Sequence, residues 1–70
     1  MNNIEKRDFA IKAVERSKGD DLARARLFWK DLTPKQMQEP YGNSTRAQAM
    51  AEWSEWEAKC NETIEWLKSL

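Results

Sequence analysis

Apolar residues recur at helical spacing along most of the chain, and no stretch alternates between apolar and polar positions for long enough to predict a strand. The spacing predicts a first helix over residues 4–18. Asn2 or Asn3 is placed to cap its N-terminus. Gly19 is placed to end it in a left-handed conformation that other residues resist.

A second helix and a short helical turn are predicted next. The helix starts at residue 20 or 21 and ends near residue 32, with an apolar stripe along one side. Thr33 and Gln36 have the spacing of a capping box, and Pro34 occupies the first helical position. This turn of helix continues to about Glu39 and stops at Pro40, because proline disfavours helix in the residue before it.

The C-terminal part of the sequence predicts a single long helix. Residues 40–44 form the main loop, and Ser44 is the expected N-cap of a helix over residues 45–69. Such a helix is roughly 37 Å long at 1.5 Å per residue, whereas the first two span about 20–24 Å each. The last helix is therefore expected to be too long for the others to cover.

The predicted fold is all-α: a small three-helix bundle with an extra short helical turn and a long C-terminal helix, forming a single helical domain over residues 1–70. The short connection at Gly19 favours antiparallel packing of the first two helices. The apolar faces of the three long helices are expected to meet in one core. That core is predicted to contain Phe9, Val14, Leu22, Phe28, Trp29, Leu32, Trp53, Trp56, Ile64 and Leu67.

Composition excludes several kinds of chemistry. The chain has no histidine and one cysteine, so histidine catalysis, an internal disulfide and a cysteine-based zinc site are all excluded. Cys60 lies on an apolar face and is expected to be a small buried hydrophobe. Paired carboxylates would need a cleft that thin helices hardly form. The sequence therefore predicts a protein that is not an enzyme and has no cofactor or metal site.

Charge and targeting features bear on the cellular compartment of the protein and on its partners. Twelve basic and twelve acidic residues give a formal net charge of zero, yet residues 1–35 carry +3 and residues 36–70 carry −3. This asymmetry lets the two halves attract each other or a like molecule. No signal peptide precedes the first helix, and no apolar run approaches the ~18 residues that span a bilayer. A cytoplasmic, reducing compartment and no membrane partner are expected.

Two apolar side chains fall away from the predicted core. Trp66 lies about 120° from the centre of the apolar side of the last helix, and Leu27 lies on the far side of the second. An exposed tryptophan is typical of a contact surface. Both residues are therefore candidate protein-interaction residues, with Trp66 the stronger of the two.

The segment Thr33–Met50 suggests an alternative, because it has features of a helix-turn-helix motif. A capped short helix is followed by a glycine and then by a polar start to the next helix. Thr45, Arg46 and Gln48 would then be the DNA-binding residues, since arginine reads guanine and glutamine reads adenine in the major groove. Pro40 interrupts the motif, and the neutral domain lacks the basic footprint of a DNA-binding protein.

A resemblance covers most of the chain after residue 18. Its elements are Gly19–Arg26, Leu32-Thr33-Pro34 with Gln36-Met37, Tyr41–Ser44 and Thr45-Arg46. This order resembles small uncharacterised proteins of phages and prophages. The resemblance implies a protein of the bacterial host cytoplasm with no assigned function, and it implies no catalytic residues.

The resulting functional hypothesis is a non-enzymatic protein–protein interaction module. Its partner is a host or phage protein, or a second copy bound through the long C-terminal helix. The seam for self-association would consist of Met50, Trp53, Cys60, Ile64 and Leu67, at steps of three and four residues. Glu57 occupies the seam position between Trp53 and Cys60, which argues against a long coiled coil. The alternative hypothesis is a helix-turn-helix DNA-binding regulator.

Overall fold

The protein is mostly helical, with 73% of its residues in helices. The structure, a computed structural model, describes residues 1–70. Its elements in chain order are α1 (Asn3–Lys18), α2 (Asp21–Phe28), α3 (Pro34–Met37), β1 (Pro40–Tyr41), β2 (Ser44–Thr45) and α4 (Arg46–Lys68). The predicted small helical fold with a short helical turn and a long C-terminal helix is confirmed.

The chain forms two compact units. We call Met1–Gly19 together with Trp56–Leu70 the two-helix unit, because it contains α1 and the second half of α4. We call Asp20–Glu55 the hairpin unit, because it contains the small β-hairpin. The single domain over residues 1–70 stays a prediction.

Helix α1 begins and ends where its sequence signals place it. The Asn2 side chain accepts a hydrogen bond of 2.8 Å from the backbone N–H of Glu5, so Asn2 is the N-cap. At the other end the Gly19 N–H donates to the Arg16 carbonyl over 3.2 Å. The φ of Gly19 is +65°, as its position suggested, but its ψ of −174° is extended instead of left-handed helical. This combination is available essentially to glycine alone.

In the two-helix unit, α1 runs antiparallel to the second half of α4. Asn3, at the start of α1, lines the same depression as Leu70 at the end of the chain. Ser17, near the end of α1, lines another depression with Trp56, where the second half of α4 begins. The Trp56 indole Nε1–H donates to the Ser17 carbonyl over 2.8 Å, which satisfies one of the backbone acceptors that a helix leaves unpaired at its C-terminus. Cys60 is buried in this unit, as predicted.

In the hairpin unit, α2 is shorter than predicted. It ends at Phe28, four residues before the expected end, and the Trp29 N–H makes the last helical bond, to the Ala25 carbonyl over 2.8 Å. The predicted capping box of α3 is confirmed. The Gln36 N–H donates to Thr33 Oγ1 over 3.2 Å, and the Thr33 N–H donates to Gln36 Oε1 over 2.8 Å.

The predicted loop at residues 40–44 is a two-stranded antiparallel hairpin instead. Pro40 pairs with Thr45, and Tyr41 pairs with Ser44. Gly42 has a φ of +61° and no other residue of the turn has a positive φ. A two-residue loop with a positive φ only at its first position is a type II′ turn, whose twist matches that of paired strands.

The N-cap of α4 also differs from the prediction. Thr45, not Ser44, caps the helix: the Gln48 N–H donates to Thr45 Oγ1 and the Thr45 N–H donates to Gln48 Oε1, both over 3.1 Å. This is a second capping box, and it follows directly from the second strand of the hairpin.

An aromatic cluster holds the hairpin against its unit. The ring centroids of Trp29 and Tyr41 are 5.0 Å apart at 77°, and those of Trp29 and Trp53 are 5.8 Å apart at 29°. The Arg46 guanidinium carbon lies 5.7 Å from the Trp29 ring. The same guanidinium donates to the Gln36 carbonyl over 3.1 Å and lies 3.3 Å from the Glu39 carboxylate. One arginine therefore joins α3, the residues before the hairpin and the aromatic cluster.

The predicted core is correct in part. Leu22 and Ile64 are buried, and five others are half-buried: Val14, Trp29, Leu32, Trp53 and Leu67. Phe9, Phe28 and Trp56 are wrong as core residues, with 65%, 72% and 50% of their surface exposed. In α1 the inward face consists of Arg7, Ala10, Ile11, Val14 and Lys18. Phe9 points away from this face because two residues of helix correspond to a rotation of about 200°.

Candidate interaction surface

Large apolar side chains are exposed mainly in the two-helix unit. Six of the nine such residues belong to it: Met1, Ile4, Phe9, Trp56, Trp66 and Leu70. Single exposed apolar residues are ordinary on a protein surface. A concentration of them in one unit is typical of a contact surface.

Two depressions lie between α1 and α4 in this unit. The first has a volume of about 480 Å³ and is lined by Ala10 and Leu67, with Ile4, Lys6 and Leu70 also at its walls. The second has a volume of about 250 Å³. Its lining residues are Val14, Ser17, Trp56, Lys59, Cys60 and Thr63.

The spacing of the lining residues places both depressions on the same side of the helix pair. Lys6, Ala10 and Ser17 are four and seven residues apart on α1. On α4, residues 56, 63 and 70 are seven apart. Residues at these intervals share a helix face. The two depressions therefore belong to one α1–α4 groove, which extends over 14 residues, or roughly 21 Å.

The groove is apolar with cationic edges. Lys6, Arg7 and Lys59 line it, and no aspartate or glutamate does. A third depression of about 310 Å³ surrounds Phe9 and is bordered by Lys12 and Arg16.

Three of these cations are uncompensated within the chain. Lys6, Lys12 and Arg16 form no ion pair and no side-chain hydrogen bond, whereas Arg7 pairs with Asp8 at 3.4 Å. Their charge is available to an acidic surface.

Trp66 is exposed, as its position on the helix suggested, with 61% of its surface in solvent. It follows Thr63 by three residues and precedes Leu70 by four, and both of these line the groove. Residues at these intervals are neighbours on a helix surface. The Trp66 side chain therefore extends the apolar surface of the groove on the α4 side.

Leu27 is exposed as well, and it belongs to the hairpin unit. The sequence prediction missed its neighbour Phe28, which was assigned to the core and is more exposed than Leu27. The exposure of Phe28 could have been inferred from its angle relative to Leu22, which is buried in α2 together with Ala25. Phe28 lies six residues beyond Leu22, about 120° away around the helix.

The predicted self-association seam is already covered within the chain. Cys60 and Ile64 are buried, and Met50, Trp53 and Leu67 are half-buried. These residues pack inside their own units, so they do not form a free seam. The exposed apolar stripe of α4 is instead the one that contains Trp56 and Trp66.

The side chains of the DNA-binding alternative are engaged within the hairpin unit. Thr45 and Gln48 cap α4, and Arg46 bonds to Gln36 and Glu39. Eight residues that include the hairpin separate α3 from α4, whereas a helix-turn-helix joins its helices by a turn of about three or four. Base reading by these side chains would require breaking their present contacts.

No His, Cys, Asp or Glu residues come together in groups of three or more that could hold a metal ion. None of the four helices has both the length and the apolar character needed to cross a membrane. Comparison with protein-family models, curated proteins and solved structures gave no match.

Proposed function

We propose that this is a small, non-enzymatic protein of the phage or prophage type that works as a protein–protein interaction module in the bacterial cytoplasm. Its contact surface is the α1–α4 groove with Trp66 at its edge. The observation that carries this proposal is the exposure of six large apolar side chains in the two-helix unit, three of which (Ile4, Trp56 and Leu70) line a groove that contains no aspartate or glutamate.

The physical argument is the cost of leaving this surface in water. Each Å² of apolar surface that is buried contributes about 25 cal/mol of favourable free energy. A partner that covers Trp56, Trp66 and Leu70 therefore gains binding free energy from this burial. Tryptophan is enriched among the residues that dominate binding energy. The free cations Lys6, Lys12 and Arg16 add steering of an acidic partner.

The residues also favour binding over catalysis. The sequence has no histidine, and its single thiol, Cys60, is buried beneath the groove. A nucleophilic cysteine needs access and a neighbouring base. The apolar groove suits a protein surface as its partner. That surface can belong to a host protein, a phage protein or a second copy of the chain.

Site-specific photocrosslinking in bacterial cells tests the proposal. A benzophenone amino acid replaces Trp66 in one variant and Asn61 in another. Asn61 is exposed on the same helix but does not line the groove. We expect a protein adduct from position 66, identified by mass spectrometry, and none from position 61.

Two results would contradict the proposal. Equal yields of adduct from positions 66 and 61 would show that the groove side of α4 is not a contact surface. An adduct that disappears after nuclease treatment would identify nucleic acid as the partner and favour the DNA-binding alternative.

A further inference from the structure

We infer that the α1–α4 groove binds an acidic amphipathic helix of another protein, which lies along the groove. The inference rests on the proposed function, because it accepts the groove as a protein-contact surface and specifies the chemistry of the segment that fills it. The charge, the shape and the dimensions of the groove support it.

The charged side chains that line the groove are all cationic. Lys6 and Arg7 line the first depression and Lys59 lines the second, with no aspartate or glutamate in either. Lys6 is exposed and forms no ion pair or side-chain hydrogen bond within the chain. A segment that carries carboxylates is therefore complementary to this surface, whereas a basic segment is repelled by it.

Arg7 has unused hydrogen-bonding capacity at one end of the groove. Its guanidinium has one hydrogen bond, of 3.4 Å, to the carboxylate of the adjacent Asp8, and its Nε–H is buried without a partner. Arginine binds carboxylates through two parallel hydrogen bonds. Because 33% of the Arg7 side-chain surface is exposed, a carboxylate of the partner can approach the guanidinium and add an acceptor that it lacks.

The shape of the groove suits a helix. Three of its lining side chains, Ala10, Ser17 and Thr63, are small, whereas Trp56 and Leu70 are large. Small side chains between two antiparallel helices let a third helix approach closely and pack into the space between them. The groove extends over roughly 21 Å, which is the length of about 14 helical residues.

The mixture of apolar and cationic lining residues favours an amphipathic helix over other anionic surfaces. A nucleic acid backbone would pair with the cations but has no apolar face to cover Ala10, Val14 and Leu67, which also line the groove. A flat bilayer does not fill a concave groove between two helices. An amphipathic helix presents apolar side chains to the base of the groove and carboxylates to its edges.

The positions of Lys6 and Lys59 predict the spacing of the carboxylates. The indole hydrogen bond from Trp56 to the Ser17 carbonyl places these two residues at the same level of the helix pair. Since α1 and α4 are antiparallel, Lys59 is level with Val14, and Lys6 lies roughly 12 Å further along the groove, on the opposite wall. We therefore expect acidic residues about two helical turns apart, one on each edge of the apolar stripe of the bound helix.

Selection from a displayed library of random peptides tests the inference, with the purified full chain as bait. Peptides of about 18 residues are long enough to form a helix. We expect the enriched peptides to be acidic, with apolar residues at steps of three and four and acidic residues about two turns apart. Enrichment of basic or proline-rich peptides, or no enrichment above an unrelated bait, would overturn the inference.

A matched pair of charge reversals shows whether an enriched peptide binds in the groove. Lys6→Glu reverses a charge in the groove, and Lys68→Glu makes the same change at an exposed residue of α4 that does not line it. By fluorescence anisotropy of a labelled peptide at low salt, we expect Lys6→Glu to raise the Kd about tenfold. Lys68→Glu should keep the Kd within about threefold of the wild-type value. Equal effects of the two variants would overturn the groove as the binding site.

A reciprocal change in the peptide separates charge pairing from a structural effect of the substitution. Replacing the acidic residues of the peptide by lysine should weaken its binding to the wild-type chain and strengthen its binding to Lys6→Glu. The absence of this rescue would overturn the proposed pairing. Far-ultraviolet circular dichroism shows whether each variant folds. If Lys6→Glu does not fold, Lys6→Gln removes the charge with a neutral side chain and should raise the Kd about threefold.

Other occupants of the groove give distinct results. A single-stranded oligonucleotide, or vesicles of anionic phospholipid, that bind more tightly than the enriched peptide and lose this binding in Lys6→Glu would overturn the inference. A wild-type chain that dimerises in sedimentation equilibrium, and does so less in Lys6→Glu, would assign the groove to a second copy. If position 66 crosslinks to a protein in cells but no acidic peptide is enriched, this inference fails and the proposed function stands.

Discussion

The two compact units of this protein use their aromatic residues in opposite ways. In the hairpin unit, Trp29 and Trp53 stack on each other and Tyr41 meets both edge-on. In the two-helix unit, Trp56 and Trp66 are at least half exposed and belong to no aromatic cluster. Three of the four rings of the hairpin unit therefore pack against one another, with Phe28 as the exception, whereas the rings of the two-helix unit stay apart and exposed.

The same contrast holds for the charged groups. Arg46 of the hairpin unit has a carbonyl, a carboxylate and an indole ring as partners. Lys6, Lys12 and Arg16 of the two-helix unit have no such partner. Under the proposed function, stability and binding draw on different residues, so that a substitution should change one without the other.

The largest expected effect comes from removing an indole from the cluster. Trp29→Ala should lower the free energy of unfolding by about 3 kcal/mol, because it deletes two aromatic contacts and the cation–π contact. Trp66→Ala deletes the same group from an exposed position and should cost less than about 0.5 kcal/mol. Urea unfolding followed by circular dichroism measures both.

Both variants are compared with wild type at the same protein concentration. Similar losses at the two positions would contradict the division of roles between the units.

An intermediate effect is expected at the glycines that end an element in each unit. Gly19→Ala should cost about 2 kcal/mol, because its φ of +65° and ψ of −174° are nearly inaccessible to other residues. Gly42→Ala, at a φ of +61°, should cost about 1 kcal/mol.

An added Cβ meets no atom within 4 Å at either glycine, so each cost is that of the backbone alone. Thermal unfolding measures both variants, with Asn43→Ala as the control, because Asn43 shares the turn without a positive φ. A neutral Gly19→Ala would show that the end of α1 relaxes to another conformation.

The smallest effect is expected for the indole bond that ties α4 to the end of α1. Trp56→Phe keeps the apolar bulk and removes the hydrogen bond to the Ser17 carbonyl. Because the residue is half exposed, water replaces the bond in part and the loss should be about 0.5 kcal/mol. Exchange of the indole proton, followed by NMR, should be slower for Trp56 than for Trp66. Equal exchange rates would contradict the bond.

The sequence predicted best where a local rule decides the structure. The Asn2 cap, the end of α1 at Gly19 and the Thr33–Gln36 capping box depend on residues within a few positions of one another. The length of α4 followed from an unbroken helical pattern. The exposure of Trp66 followed from its angle on the same helix.

The hairpin was missed because its strands have two residues each, too few to show an alternating pattern. The signal that could have found it is Gly42-Asn43 between Tyr41 and Ser44, since glycine at the first position is typical of a type II′ hairpin turn. The cap of α4 was misplaced by one residue because the capping-box spacing of Thr45 and Gln48 was overlooked.

The core and the groove could not be predicted from one helix at a time. A helical pattern orders residues around an axis, but which side is covered depends on what packs there. Phe9 and Phe28 were assigned to the core together with Val14 and Leu22. Only the sides of α1 and α2 that contain Val14 and Leu22 are covered. The groove requires both α1 and α4, so no single stretch of sequence contains it.

The stack of Trp29 on Trp53, at 5.8 Å and 29°, has an optical consequence. Two indoles this close couple their electronic transitions and give a pair of circular dichroism bands of opposite sign. The folded chain gives this signal by itself, without a binding partner. Trp56 and Trp66 do not contribute to it, because they are not part of the stack. The hairpin unit therefore has an intrinsic spectroscopic signal. The loss of these bands during unfolding would report when the two indoles separate, without any added label.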